Sequence, residues 1–208
     1  IYTMAYAMQA AAENNLPFIV LDRPNPLGGE LLQPPVLQPE FASFIGLYPI
    51  PYVHGMTIGE LAQLFNTEFD INAELTVIPM KNWQRNMTWN DTGLQWIPTS
   101  PHVPEATTPF FLACTGSIGE LHVVNEGVGY TAPFQYIGAD WIDADKLAER
   151  LNLAGLAGIH FRPVYYRPYY GAQANNQLRG VQLHITNPDS LKPIMVELTI
   201  LTTLESLY

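Results

Sequence analysis

Leu16-Pro-Phe-Ile-Val-Leu21 runs directly into Asp22-Arg-Pro-Asn-Pro-Leu-Gly-Gly29, and that junction decides the fold class. The first stretch is a short, continuous apolar run, which suits a strand buried in a parallel sheet. Before it, Ile1-Tyr-Thr-Met-Ala-Tyr-Ala-Met-Gln-Ala-Ala-Ala-Glu13 has apolar residues at helical spacing and many alanines, so it predicts a helix broken at Asn14-Asn15. After it, Pro24 and Pro26 stiffen a loop while Gly28-Gly29 relax its backbone. Asp22, Arg23 and Asn25 are thereby carried at the carboxyl end of a strand, where open α/β sheets bind ligands. Each has two readings. They line a polar ligand site, or the Asp-Arg pair ties the loop to itself.

Further along, Thr57-Ile-Gly-Glu60 is a capping box opening a helix to about Asn66, and Glu74-Leu-Thr-Val-Ile-Pro79 predicts the next strand. His54, just ahead of that cap, is a poised donor or a turn residue. Residues 83–104 read as one long ordered loop, and Thr107–Leu121 as a further helix. Asp143 caps a helix ending near Asn152. Gly158–Tyr165 and Gly180–Thr186 alternate at period two, as half-buried antiparallel strands do, with His160 and His184 expected as half-buried histidines. Ser190 is expected to cap a closing helix whose inward residues are Leu191, Ile194, Met195, Leu198, Leu201 and Leu204. The pattern is α/β, part of a Rossmann-like parallel sheet over residues 1–134, followed by a smaller α+β domain over 135–208.

Composition excludes several classes. The 208 residues include 19 Asp+Glu against 9 Lys+Arg, a net charge of −10, with 48% hydrophobic residues. That apolar content rules out disorder, and nine scattered cations do not make a nucleic-acid surface. No run approaches the roughly 18 apolar residues of a membrane span. Cys114 is the only cysteine, so neither a disulfide framework nor a multi-thiolate zinc site is available. The histidines show no metal-ligand spacing, and no metal or cofactor is expected. Gly127-Val-Gly-Tyr-Thr-Ala132 matches a dinucleotide fingerprint only formally, since Pro133 follows at once and no helix pattern begins there. In the same loop Glu126 is an acid on a glycine-rich backbone, either a catalytic group or a solvated carboxylate. Tyr165, Tyr166, Tyr169 and Tyr170 offer flat faces for sugar rings or for strand-edge packing.

These loops carry a family resemblance. Asp22–Gly29, Gly46-Leu-Tyr-Pro-Ile-Pro51, His54-Gly-Met-Thr-Ile-Gly-Glu-Leu-Ala62, Met80, Trp83, Arg85, Asp91-Thr-Gly93, Trp96, Pro98 and Ser100-Pro101 come first, in that order. Glu126-Gly127, Pro133-Phe134, Ile137-Gly-Ala139, Phe161-Arg-Pro163 and Gly180-Val-Gln-Leu-His184 follow. Together they resemble the exo-β-N-acetylmuramidase (NamZ-type) family, glycoside hydrolase family 171. The resemblance implies a Rossmann-like domain, a smaller second domain, and an active site in the cleft between them. It implies hydrolysis of terminal β-linked N-acetylmuramic acid from peptidoglycan fragments, in the periplasm or secreted, with a possible lipid anchor in a preceding segment. Asp22, Arg23, Asn25, His54 and Tyr130 are then substrate-binding residues, and Glu126 a catalytic candidate.

Two departures stand out. The Glu-His-Gly motif that carries the family's proposed general acid/base is absent, so the chain resembles the C-terminal portion of a member, with the preceding N-terminal half as its partner. Where many relatives read Ser-Glu-Gly-Arg-Gly-Thr, this sequence has Asn125-Glu-Gly-Val-Gly-Tyr130, and Val128 supplies no cation for a carboxylate. A non-catalytic carbohydrate- or wall-binding protein on the same fold is the rival expectation.

Overall fold

The computed structural model describes residues 1–171 and 173–208. The chain divides into two compact units, Ile1–Gln95 and Trp96–Tyr208. The break falls well before the change of sequence character near 135. The reason is the helix at 108–120, which packs along the C-terminal helix and so belongs with the second unit.

In the first unit, α1 (Tyr2–Glu13) leads into β1 (Phe18–Leu21), which pairs in parallel with β4 (Leu75–Ile78) in the register Phe18↔Leu75 to Leu21↔Ile78. Between them come β2 (Gln33–Val36) and β3 (Pro51–Val53), a short antiparallel pair, then α2 (Ile58–Glu68). The capping box forms as the sequence requires. Thr57 N–H donates to Glu60 Oε2 at 2.9 Å, and Glu60 N–H to Thr57 Oγ1 at 3.2 Å. α2 lies against α1 and one face of the parallel pair, so that Met8, Val20, Leu61, Phe65 and Tyr48 form one core. The other face of the pair is bare, with Ile19 62% and Leu21 68% exposed. Residues 83–95 are irregular apart from a 3-10 turn at Asn90–Thr92.

The second unit holds α3 (Thr108–Glu120), β5 (Tyr136–Ala139), α4 (Ala144–Leu153), β6 (Ile159–Tyr166), β7 (Leu178–Ile185) and α5 (Pro193–Leu207). The three strands make an antiparallel sheet in the order β5-β7-β6, and α4 covers the face bearing Phe161, Val181 and Leu183. Asp143 caps α4, its Oδ1 accepting from Lys146 N–H at 3.1 Å. Cys114 is closed inside α3, and burial pushes its thiol far above the ordinary range.

Three expectations are corrected. Ser190 does not cap the last helix. It closes a 3-10 turn, Pro188–Ser190, that Asn187 caps through Asp189 N–H, and α5 begins at Pro193, whose fixed φ suits a first helical position. That shift turns the helix, so Met195 and Leu198 are half exposed while Val196, Glu197 and Ile200 are buried. His160 and His184 are not half-buried either. They are exposed and face each other across the β6–β7 ladder, on the side away from α4.

Glu197 is thus a carboxyl inside a helix–helix contact, only 6% exposed, accepting a hydrogen bond from Ser117 Oγ on α3. Burial pushes its pKa up from 4.5 to about 7. The folded chain therefore holds this proton to higher pH than the unfolded chain. The associated stability is complete below 4.5 and lost as pH rises through about 7. Glu197→Gln is expected to remove this slope and to be more stable than wild type at pH 8 by up to about 3 kcal/mol. Denaturant midpoints across that pH range check it. Parallel curves for the two proteins would reject it.

Candidate functional site

The loop after β1 is fixed by the entrance of α2. Gly59 N–H donates to Asp22 Oδ1 at 2.7 Å, and Thr57 Oγ1 donates to Asp22 Oδ2 at 3.0 Å. The carboxylate so lies on the positive end of the helix dipole. Asn25 is used on both sides, donating from Nδ2 to Met56 O at 3.0 Å and accepting from Leu27 N–H at 3.0 Å. Arg85 ties the assembly together. It donates to the carbonyls of Gly29 and Gly55, each at 3.1 Å, pairs with Glu60, and lies 5.9 Å from the centre of the Trp83 ring.

Asp22, Arg23, Asn25 and His54 are therefore brought together, but in different roles. Asp22 and Asn25 spend their polar atoms on the scaffold. Arg23 is exposed, and its guanidinium has no hydrogen-bond or ion-pair partner among the described residues. His54 Nδ1 accepts from Met56 N–H at 3.1 Å, which leaves the ring proton on Nε2. Burial holds its pKa below the usual value, so it is a neutral donor near pH 7.

This split has a measurable consequence. Asp22→Ala leaves the α2 entrance without its anion and is expected to cost about 2–3 kcal/mol of stability. Arg23→Ala is expected to leave stability within about 0.5 kcal/mol and to weaken binding of an anionic ligand tenfold or more. Melting curves and titration calorimetry on both variants separate the roles. A destabilised Arg23→Ala with unchanged affinity would reverse the assignment.

In the second unit, the Glu126 loop hangs on Asn125. The backbone of Asn125 exchanges hydrogen bonds with Gly138 on β5, at 2.8 and 3.0 Å. Its side chain donates to Val128 O at 2.9 Å and accepts from Gly127 N–H at 3.0 Å. From β6, the Tyr166 hydroxyl lies 3.1 Å from Asn125 O and 2.9 Å from Asn125 Oδ1, its proton shared between them. Tyr130, Tyr136 and Tyr166 meet ring to ring at 5.0–5.4 Å. Gly129 has φ +89°, and a Cβ there would fall 1.9 Å from Tyr170 O, so the loop closes against Tyr170 only with glycine. Tyr166 is buried, whereas Tyr165, Tyr169 and Tyr170 are exposed. Tyr170 also meets His102, its hydroxyl 3.2 Å from Nε2.

The Glu126 side chain rests on the last turn of α3, where Gly119 leaves space for it. Burial raises its pKa. Glu120 adds to the effect, and His102 and His122 oppose it. A half-buried carboxyl held toward its protonated form is suited to donating a proton to a leaving group. No cluster of three or more His, Cys, Asp or Glu that could hold a metal occurs among the described residues.

Sequence reasoning placed the two loops but missed what holds them. Arg85, Asn125 and Tyr166 act through contacts made across tens of residues. Arg85 was visible as one of the residues that carry the family resemblance, but its bonds to Gly29, Gly55 and Glu60 were not.

Comparison with known proteins assigns the class. Family models described as exo-β-N-acetylmuramidase NamZ, N-terminal and C-terminal, match residues 1–107 and 113–208. The chain belongs to the exo-β-N-acetylmuramidase NamZ family. A curated relative, the peptidoglycan β-N-acetylmuramidase NamZ of Bacillus subtilis (strain 168), is 48% identical over 208 residues, which is 100% of this chain and 50% of that protein. A crystal structure of a DUF1343 family protein from Bacteroides fragilis NCTC 9343 has a TM-score of 0.94 at 43% identity, covering 99% of this chain and 54% of that one. A second DUF1343 structure from the same strain has a TM-score of 0.66 at 27% identity, covering 93% and 50%. The chain thus spans about half the length of the relatives it matches.

Proposed function

We propose that this chain is the C-terminal portion of a glycoside hydrolase that releases terminal β-linked N-acetylmuramic acid from peptidoglycan fragments. The observation that carries the reading is Glu126, a half-buried carboxyl against the last turn of α3 whose burial raises its pKa. Glycoside hydrolysis needs a proton donor and commonly a second carboxyl. The resemblance puts a further acid/base glutamate, that of the Glu-His-Gly motif, in the preceding portion of the polypeptide, and Glu126 is the carboxyl that this chain adds. That a further portion exists is supported by the bare face of the β1–β4 pair, because parallel strands are ordinarily covered on both faces. The complete sheet is then Rossmann-like. Arg23 and the Nε2 proton of His54 are donors that the first unit offers to a polar ligand. The enzyme works in the periplasm or outside the cell, where its substrate lies.

The test is hydrolysis of a chromogenic β-N-acetylmuramide by the complete natural polypeptide and by these 208 residues alone. The complete polypeptide turns the substrate over and the shorter chain does not. Binding of wall fragments without turnover by the complete polypeptide would favour a carbohydrate-binding protein instead.

A further inference from the structure

The sheet of the second unit has one face covered by a helix; on the other, Tyr136, Val164, Tyr166 and Leu178 form a buried cluster with Tyr130 and Ala132 packed against it, and only the end bearing His160, Arg162 and His184 is exposed. α4 lies on the first. On the second, partners across the ladders share a side, so Tyr136, Gln182 and Arg162 form a straight row over β5, β7 and β6, with His184 and His160 in the next row. The row begins at the Glu126 loop. Tyr136 meets Tyr130 edge to face, and its Cδ2 would lie 2.9 Å from a Cβ at Gly127. It ends two strands away, about 10 Å at ordinary strand spacing, on an exposed guanidinium.

Arg162 is not a loose surface cation. Its Nη2 donates to Gln182 Oε1 at 2.5 Å, and Gln182 Nε2 lies 3.5 Å from Gln135 Oε1. One of five guanidinium donors is thus spent on orientation and the others face outward. No Asp or Glu pairs with Arg162 among the described residues, although the chain carries 19 acids. An acidic protein repels an anionic ligand except where a fixed cation is presented to it. Val128, in the loop itself, presents none.

We propose that Arg162, oriented by Gln182, binds the carboxylate of the sugar acid whose ring lies against Tyr130 at the Glu126 loop. The assignment rests on the reading that this loop takes an acidic amino sugar, and it names the chemistry that selects the acid over its neutral counterpart. The guanidinium fork donates to both carboxylate oxygens at once. His160 and His184 border the same spot and add no fixed negative charge to it.

The experiment measures binding of N-acetylmuramic acid and of N-acetylglucosamine, which lacks the carboxylate, by titration calorimetry on the complete polypeptide, with KM for a chromogenic muramide beside it. Arg162→Gln is expected to weaken the acid sugar by 10- to 100-fold and leave the neutral sugar and the melting temperature unchanged. Arg162→Lys keeps the charge without the fork and falls between. Wild-type affinity for the acid sugar in Arg162→Gln, with normal turnover, overturns the carboxylate site alone. Arg162-dependent binding by a wild-type protein that hydrolyses nothing overturns the hydrolase reading and leaves this site standing. Equal weakening of both sugars also overturns it, since the loss would then be structural.

Discussion

Gly180→Ala is expected to unfold the second unit. Gly180 sits mid-strand in β7, between β5 and β6, opposite Gly138 on one side and Val164 on the other. A Cβ at 180 would lie 1.9 Å from Ile137 O and 2.7 Å from Gly138 Cα, both backbone atoms of the neighbouring strand. Neither can yield without breaking the β5–β7 ladder. Gly138 is closed in the same way, since its Cβ would meet the Tyr166 ring at 2.6 Å. The glycine pair makes the floor on which Tyr166 lies to reach Asn125. The cost is expected to exceed about 4 kcal/mol, the range of severe overpacking and ladder loss. Circular dichroism and proteolysis of the purified variant check this. A variant melting within a few degrees of wild type would show that the strands can separate locally.

Glu126→Gln, in the complete polypeptide, is expected to lower kcat by about 10²–10⁴-fold, the ordinary contribution of a positioned general acid. The amide keeps the shape against Gly119 but has no proton to give. KM and melting temperature are expected to stay near wild type, because the loop hangs on Asn125 and Tyr166 rather than on Glu126. The raised pKa fixes the pH dependence as well. Glu126 stays protonated to higher pH than an ordinary glutamic acid, and activity falls as pH climbs through that raised value. A few-fold loss of kcat together with a large rise in KM would make Glu126 a binding group instead.

What could be read from the sequence was local or periodic. The Leu16–Leu21 run, the Thr57–Glu60 box and the alternation at 158–165 and 180–186 each depend on residues within a few positions, and each element forms. β2 and β3 escaped notice because a Pro-rich stretch of three or four residues per strand has no period to detect. β5 escaped because Tyr-Ile-Gly-Ala is buried on both faces and does not alternate. The same limit applied to the site. Asp22 was legible as a polar residue at a strand end, yet its use as the anion for α2 depends on Gly59, whose missing side chain admits the carboxylate. The compact units divide at 95/96, which α3 could not signal because it has little polar face and only its packing on α5 shows where it belongs.

Cys114, shut within α3, bears on the company the chain can keep. A lone thiol outside the cytoplasm ordinarily invites mixed disulfides, cross-linked pairs of molecules and stepwise oxidation to acids that cannot be reversed. Each of those begins with a thiolate that another molecule can touch. Here the sulfur is out of reach and burial holds it in the thiol form, so disulfide-forming catalysts find nothing on this chain to grip. Its working life is then indifferent to the redox state of its surroundings.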